Sequence, residues 1–157
     1  MKAWRKSALS IAGPVALFIA AAGIATARSA PAQATDPAPA SFTAAQAASG
    51  LAEYKANCAD CHGANLNDGE FGGPPLKGEA FRAKWFGRPP SALIGFTRAA
   101  MPPDSPGRLP LGTYVEIAAY LLSANGIAPG EQTLPADMKA LGELRIEKEK
   151  AGGSAAR

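Results

Sequence analysis

Cys58-Ala59-Asp60-Cys61-His62 is the stretch of sequence that decides the fold of this chain. The pattern C-x-x-C-H is the attachment signature of a c-type haem. The two thiols add to the vinyl groups of the porphyrin, and the adjacent imidazole binds the iron from one face. The chain of 157 residues contains two cysteines and one histidine, and all three lie in this motif. We therefore predict one covalently attached haem c, with Cys58 and Cys61 as the thioether residues and His62 as an axial ligand.

Other uses of the motif are disfavoured by the rest of the sequence. A structural zinc site needs four nitrogen or sulfur ligands, usually in two pairs, and the chain has no second pair. A thioredoxin-like redox motif would be flanked by a βαβ pattern, which is not seen here. A disulfide between Cys58 and Cys61 would close so short a loop that it would constrain little of the unfolded chain. Haem attachment is the favoured interpretation.

Residues 1–34 have the pattern of a secretory signal peptide. A basic start precedes an uncharged apolar run over residues 8–27, and Ala-x-Ala cleavage patterns end at Ala27 and Ala34. The run is long for a signal peptide, so an uncleaved membrane anchor is the alternative. Gly13-Pro14 interrupts the run and favours the cleaved form. Because c-type haem is attached outside the cytoplasm, we expect a periplasmic protein that contacts the membrane only if this leader is retained.

Loss of the leader would reverse the sign of the net charge. The whole chain has 16 basic and 13 acidic residues, and four of the basic residues but none of the acidic ones lie in 1–34. The remainder has 12 basic and 13 acidic residues, a net charge of −1, so no nucleic-acid partner is implied. Residues 35–76 are mainly acidic and residues 77–108 mainly basic. This asymmetry fits docking of a redox partner, neutralisation of haem propionates, or an ordinary solvated surface.

Composition divides the exported part of the chain into three segments. Residues 35–41 are rich in Ala and Pro and are predicted to be a linker. Residues 147–157 are charged and then rich in Gly and Ala, which predicts a disordered tail. Residues 42–146 between them show no internal repeat and have the size of one small domain with a C-terminal extension.

Two capping boxes predict the principal helices of this domain. Thr43-Ala44-Ala45-Gln46 begins a helix that runs toward Asn57, and Gly50 within it predicts close packing against another helix. Thr113-Tyr114-Val115-Glu116 begins a second helix over residues 113–123, with a C-cap signal after it. The second helix is apolar on two faces, so we expect it to be buried between partners.

The segment between these helices predicts shorter elements. Residues 63–73 are rich in Gly, Asn and Asp and are expected to form a loop, whereas residues 80–86 and 91–99 are expected to form short helices. No stretch shows convincing strand alternation. The predicted fold class is therefore all-α, a single small helical domain around the haem.

The second axial ligand is expected to be a methionine, because the chain has no second histidine. Met101 lies 39 residues after His62 and is followed by two prolines, which stiffen the loop that presents the thioether. Met138 and a vacant position are the alternatives, but Met138 lies in a short amphipathic segment where a packing role is expected. Ligation by His62 and Met101 would leave no open coordination position on the iron and would raise its reduction potential, which suits electron transfer.

The chain resembles the class I cytochrome c family over most of residues 41–127. The shared features are the helix with Gly50 and Tyr54, the segment Cys58–Gly63, Gly73-Pro74-x-Leu76-x-Gly78, Met101-Pro102 and the helix with Tyr120. The resemblance implies the cytochrome c fold, with its first and last helices crossing at right angles through Gly50 and Tyr120. It also implies that Pro74 offers its carbonyl to the haem histidine and that Leu76 packs on the porphyrin.

A narrower resemblance is to the cytochrome domains of PQQ-dependent alcohol dehydrogenases. It is carried by residues 85–88, 101–109, 119–126 and 134–137. This resemblance implies that Trp85 and Arg88 contact haem propionates, although ordinary core packing of Trp85 is the alternative. The chain has no quinoprotein part, so we do not expect it to oxidise an alcohol by itself.

These observations together predict an exported monohaem electron carrier and not an enzyme. Its expected partners are redox proteins, with a PQQ-dependent dehydrogenase as a candidate donor and a terminal oxidase or another cytochrome as acceptor. One alternative is a haem enzyme or ligand sensor with a labile distal ligand. A second alternative is a fixed electron-transfer subunit of a dehydrogenase complex.

Overall fold

The computed structural model of the chain describes residues 36–69 and 71–147. The predicted leader and residues 148–157 of the predicted tail lie outside these ranges. The described part contains six helices and one pair of two-residue strands. The helices are α1 Ala44–Asn57, α2 Ala59–His62, α3 Glu79–Trp85, α4 Pro90–Ala100, α5 Leu111–Ala124 and α6 Met138–Gly142, and the strands are β1 Ala38–Pro39 and β2 Leu144–Arg145.

Helix α1 begins where its capping box predicts, but only half of the box forms. The Thr43 hydroxyl accepts a hydrogen bond from the Gln46 backbone N–H at 3.1 Å. The Gln46 side chain does not return to Thr43 and instead pairs with Leu134, whose backbone N–H and C=O it contacts at 2.9 and 2.8 Å. Gln46, which was predicted to form half of a local cap, therefore ties α1 to the C-terminal extension, 88 residues along the chain.

Helix α5 begins earlier than predicted, and the capping box at Thr113 is wrong. Its N-cap is Pro110, and the first helical residue is Leu111. Pro110 has the extended backbone (φ −57°, ψ 150°) that is typical of an N-cap residue, and the helix starts directly after it without a side-chain cap. The predicted end is confirmed, because Asn125 is the C-cap and Gly126 follows with φ +92°.

Helices α1 and α5 form the most extensive helix–helix interface of the described residues. A Cβ placed on Gly50 would overlap the carbonyl group of Glu116 and lie 3.0 Å from the Tyr120 Cβ. The crossing therefore requires glycine at residue 50. The rings of Tyr54 and Tyr120 pack beside it, with their centroids 5.3 Å apart. Burial on two faces of α5 is confirmed for Tyr114, Val115, Ile117, Ala118, Ala119, Leu121 and Leu122.

The two short helices between the anchors lie within one residue of their predicted bounds. α3 ends at Trp85 and α4 begins at Pro90, where the proline occupies the first turn, a position at which it costs no hydrogen bond. None of the helices in the described ranges is long and apolar enough to cross a membrane.

The C-terminal extension is fixed to the domain by a small backbone ladder that sequence periodicity did not indicate. β1 pairs with β2 in parallel, and Ala40 N–H donates to Arg145 C=O at 2.7 Å. Ile146 exchanges hydrogen bonds with the loop after α3, donating to Arg88 C=O at 2.9 Å and accepting from Gly87 N–H at 2.8 Å. Residues 38–40, which we expected in a linker, thus pack against the domain. Strands of two residues are too short to show alternation, so their sequence carried no signal.

Candidate functional site

A cavity of about 550 Å³ lies between the C-terminal end of α1, helices α3, α4 and α5, and the loop that follows α4. Its volume is in the range of cofactor and ligand cavities in proteins. Seven of the eight predicted site residues line it: Cys58, Cys61, His62, Pro74, Leu76, Trp85 and Met101. Residues that are distant in sequence, from 58 to 101, therefore meet around one space.

The attachment motif forms a single helical turn at the end of α1. Cys58 is the C-cap of α1, and its carbonyl accepts hydrogen bonds from Cys61 N–H at 3.2 Å and His62 N–H at 3.0 Å. The compact turn places both sulfurs on the cavity wall. Burial raises the pKa of the free Cys58 thiol to about 11, a shift that the positive charge of Arg108 partly opposes. A redox or nucleophilic cysteine has a lowered pKa, so the environment of Cys58 does not suit a reactive thiolate.

His62 is held by one hydrogen bond in the orientation that a haem ligand needs. The side chain is 6% exposed, and its Nδ1 lies 2.8 Å from the Pro74 carbonyl oxygen. A carbonyl only accepts, so Nδ1 carries the proton and Nε2 is the nitrogen left to bind iron. The bond joins the two residues that the cytochrome c resemblance paired.

The loop after His62 folds back closely on the motif. Gly73 N–H donates to the Cys61 carbonyl at 3.0 Å, and a Cβ on Gly73 would lie 2.9 Å from Nδ1 of His62. Any side chain at residue 73 would push against the imidazole. Tyr54, fully buried in α1, donates its hydroxyl proton to Gly63 C=O at 2.6 Å and fixes the other end of the turn.

Asn125 is a buried clamp that sequence reasoning identified only as a helix C-cap. Its Oδ1 accepts from Gly78 N–H at 3.0 Å, and its Nδ2 donates to the carbonyls of Leu76 at 3.0 Å and Leu121 at 2.8 Å. The side chain is 5% exposed. It therefore fastens the segment after Pro74 to the end of α5. No local sequence pattern indicates this role, because the pairing of Asn125 with Gly78 spans 47 residues.

Met101 reaches the cavity from the C-terminal end of α4. Its backbone N–H donates to Thr97 C=O, and its own carbonyl accepts from the buried hydroxyl of Tyr114, both at 2.8 Å. Tyr114 was treated as a packing residue in the sequence, and the structure adds a positioning role toward Met101. Met138 begins α6 away from the cavity lining, with its Cε 3.7 Å from where a Cβ on Gly95 would lie.

Trp85 and Arg88 have different surroundings, and their predicted contacts with haem propionates stay predictions. Trp85 is buried and lines the cavity. Arg88 does not line it, because it lies beyond the end of α3 with its guanidinium carbon 5.5 Å from the Trp85 ring centroid. The cations that line the cavity, among the described residues, are Lys84 and Arg108. Arg108 donates to the Asn57 Oδ1 at 2.7 Å, next to Cys58.

These residues fit a covalently attached haem better than a protein-only metal centre. Two thiols and an oriented imidazole line one apolar-walled cavity, with a thioether in the same lining. Within residues 36–69 and 71–147, no group of three or more His, Cys, Asp or Glu side chains could hold a metal ion. The donor set present is the one that binds an iron porphyrin.

The comparison with protein families agrees with this chemistry. Residues 45–121 match the family model described as cytochrome c oxidase, cbb3-type, subunit III. The matched segment is a cytochrome c domain. No curated protein and no solved structure matches the chain. The match includes the attachment motif, the loop with Pro74 and Met101. The predicted all-α cytochrome c fold and the covalent haem c are thereby confirmed, and residues 45–121 form a cytochrome c domain whose cofactor implies redox partner proteins.

Proposed function

We propose that this cytochrome is a periplasmic carrier of single electrons in which His62 and Met101 bind the haem iron from opposite faces. The observation that carries the proposal is the meeting of both residues in one cavity with Cys58 and Cys61. The attached haem supplies a one-electron iron couple. With a histidine and a methionine as ligands, no coordination position stays open for oxygen or peroxide, and the reduction potential is raised.

Both proposed ligands are held by hydrogen bonds, which supports a closed site. His62 is fixed by the Pro74 carbonyl, and the backbone of Met101 is fixed by Thr97 and Tyr114. When both ligands are held in place, they change position little between the two oxidation states. Little reorganisation suits an electron carrier, whereas a haem enzyme or ligand sensor needs a distal ligand that leaves.

Met101→Ala, with Met138→Ala as the matched control, tests the ligand assignment. Met101→Ala should abolish the long-wavelength charge-transfer band of a methionine-ligated ferric haem and let the ferrous protein bind carbon monoxide. Met138→Ala should keep the band and remain inert to carbon monoxide, because Met138 does not line the cavity. A wild-type protein without the band, or with rapid carbon monoxide binding, would instead establish the haem enzyme or ligand sensor.

For the partners, we propose a PQQ-dependent dehydrogenase as the donor and a terminal oxidase as the acceptor. The narrower sequence resemblance supports the donor, and the oxidase named in the matched family description supports the acceptor. The surface around Cys58, where Asn57 and Arg108 form the rim, is the proposed transfer site, with a small interface suited to fast turnover. Reduction by a purified quinoprotein in stopped-flow experiments tests the donor. Elution of the native protein as a single small species, and not with a dehydrogenase, separates a free carrier from a fixed subunit.

A periplasmic location is proposed from the predicted leader at residues 1–34. Cell fractionation and N-terminal sequencing of the purified protein test it. A mature N-terminus after Ala27 or Ala34 is expected, and an intact N-terminus in the membrane fraction would establish the uncleaved anchor instead.

A further inference from the structure

We propose that Lys84 is the counter-charge of a haem propionate and that its positive charge raises the reduction potential of this cytochrome. The inference rests on the proposed function, because it takes the haem to be attached through Cys58 and Cys61. Lys84 and Arg108 are the cations that line the cavity among the described residues. The two cations lie in different surroundings, and these surroundings assign them to different edges of the porphyrin.

Arg108 belongs to the edge where the thioethers form. Its guanidinium donates to the side chain of Asn57, the residue that precedes Cys58. In a protohaem-derived porphyrin, the two vinyl-bearing pyrroles lie opposite the two propionate-bearing pyrroles. A cation next to Cys58 is therefore at the wrong edge to pair with a propionate.

Lys84 lies on α3, which forms the wall contributed by Phe81 and Trp85. The contacts of its ammonium are with the rings of Trp85 on α3 and Phe96 on α4, which form a different wall from the attachment motif. A haem anchored at Cys58 and Cys61 would extend its propionate edge toward this side of the cavity.

The Lys84 ammonium is positioned before any ligand contact is made. Its Nζ lies 4.2 Å from the ring centroid of Phe96 and 4.9 Å from that of Trp85. The two rings pack against each other with centroids 5.6 Å apart, and both line the cavity. Ring faces attract a cation, so the aromatic pair holds the charge at the cavity mouth and reduces the entropy lost when it pairs with a carboxylate.

Arg88 is the matched control, because it is a cation on the Trp85 ring but outside the cavity lining. Its guanidinium faces the Trp85 ring at 5.5 Å, and its backbone is bonded to Ile146 of the extension. Trp85 thus has two cationic neighbours, of which only Lys84 lines the cavity. A general effect of positive charge near Trp85 would involve both residues, whereas propionate pairing involves Lys84 alone.

The expected effect follows from the charge of the iron. The ferric site has one more positive charge than the ferrous site, so a nearby cation favours the ferrous form. A unit charge about 10 Å from the iron, at an effective dielectric constant of about 20, changes the ratio of the two forms roughly tenfold. For a one-electron couple, a tenfold change corresponds to about 59 mV.

The test compares Lys84→Met, Lys84→Arg and Arg88→Met in the full-length holoprotein by spectroelectrochemical titration. Methionine keeps an unbranched stem over the rings but removes the charge. We expect the reduction potential of Lys84→Met to fall by about 59 mV, which corresponds to a tenfold change in the ratio of the two forms. The potential of Lys84→Arg should stay near that of the wild type, and the potential of Arg88→Met should change much less than that of Lys84→Met. Equal shifts for Lys84→Met and Arg88→Met, or no shift for Lys84→Met, would overturn the proposal.

A second measurement needs no variant and decides the question if Lys84→Met fails to accumulate. In the diamagnetic ferrous wild type, nuclear Overhauser effects are expected between the Lys84 side-chain protons and the propionate methylene protons. Their absence, with the same propionate showing contacts to another cation, would overturn the pairing. Failure of the proposed function is distinguishable, because it would appear as absence of the methionine charge-transfer band in the wild type. The ferrous protein would then bind carbon monoxide, and the same effects would be measured in that diamagnetic adduct.

Discussion

Gly50→Ala is expected to destabilise this cytochrome even though alanine is the better helix former. An alanine Cβ at this position would overlap the backbone carbonyl of Glu116 and lie 3.0 Å from the Tyr120 Cβ. Carbon atoms prefer separations of about 3.5–4.0 Å, so α1 and α5 would have to move apart by at least about 0.5 Å along their largest interface. Overpacking of this kind costs about 1–3 kcal/mol, and a clash with backbone belongs at the upper end.

The gain in helix propensity offsets only part of that cost. Replacing glycine by alanine inside a helix stabilises it by about 1 kcal/mol, which leaves a net loss of about 2 kcal/mol. For a domain of this size, the melting temperature should fall by about 8 °C. The assay is thermal unfolding of the holoprotein, followed by far-UV circular dichroism and by haem absorbance.

Gly112→Ala is the matched control in the partner helix. Gly112 lies in the first turn of α5, and a Cβ there would meet no atom within 4 Å. The same substitution should therefore increase the free energy of unfolding by up to about 1 kcal/mol and raise the melting temperature slightly. A Gly50→Ala protein as stable as the wild type, or two variants that shift in the same direction, would refute the argument that this crossing requires glycine.

Three further predictions concern the buried hydrogen bonds around the site. Asn125→Ala removes three hydrogen bonds and leaves the Gly78 N–H without its acceptor, so urea unfolding should show that the free energy of unfolding falls by about 2–4 kcal/mol. A fall below about 0.5 kcal/mol would contradict the clamp role of Asn125. Tyr114→Phe removes the hydrogen-bond partner of the Met101 carbonyl, so we expect the free energy of unfolding to fall by about 1 kcal/mol and the charge-transfer band to weaken at elevated temperature. An unchanged band on heating would contradict the positioning role of Tyr114. Burial raises the pKa of Tyr54, so its stabilisation is complete below the unfolded pKa of about 10 and is lost as the pH rises from there toward the higher folded pKa. Tyr54→Phe should therefore flatten the fall in stability above about pH 10, and an unchanged slope would exclude Tyr54 as its cause.

Prediction from the sequence succeeded where the chemistry is local. The haem motif works through residues three and four apart, and a helical turn brings them together without help from distant segments. The start of α1 was likewise predictable, since Thr43 caps a backbone N–H only three residues away. The start of α5 was not predictable. Thr113 offered an equally good local cap, but the helix begins directly after Pro110.

Residues whose role depends on distant partners were not recognisable in the sequence. Asn125 has the composition of an ordinary helix C-cap, and its clamp function arises only because α5 ends beside Leu76 and Gly78. Tyr114 has the periodicity of a core residue, and its hydroxyl becomes useful only because Met101 ends the neighbouring helix. Such roles depend on where whole helices lie, which local patterns do not encode.

The sequence by itself determined the cofactor of this protein, its covalent attachment and the candidate ligands, because thioether formation and iron ligation depend on residue type and short spacing. Only the tertiary structure decided which cation lies beside the cavity. Lys84 and Arg88 are four residues apart at the end of one helix, and both contact the Trp85 ring. Helix α3 ends at Trp85, so the chain turns away before Arg88 and binds the extension, while Lys84 remains on the cavity wall. Charge acts through space, and its effect on the haem depends on that final placement.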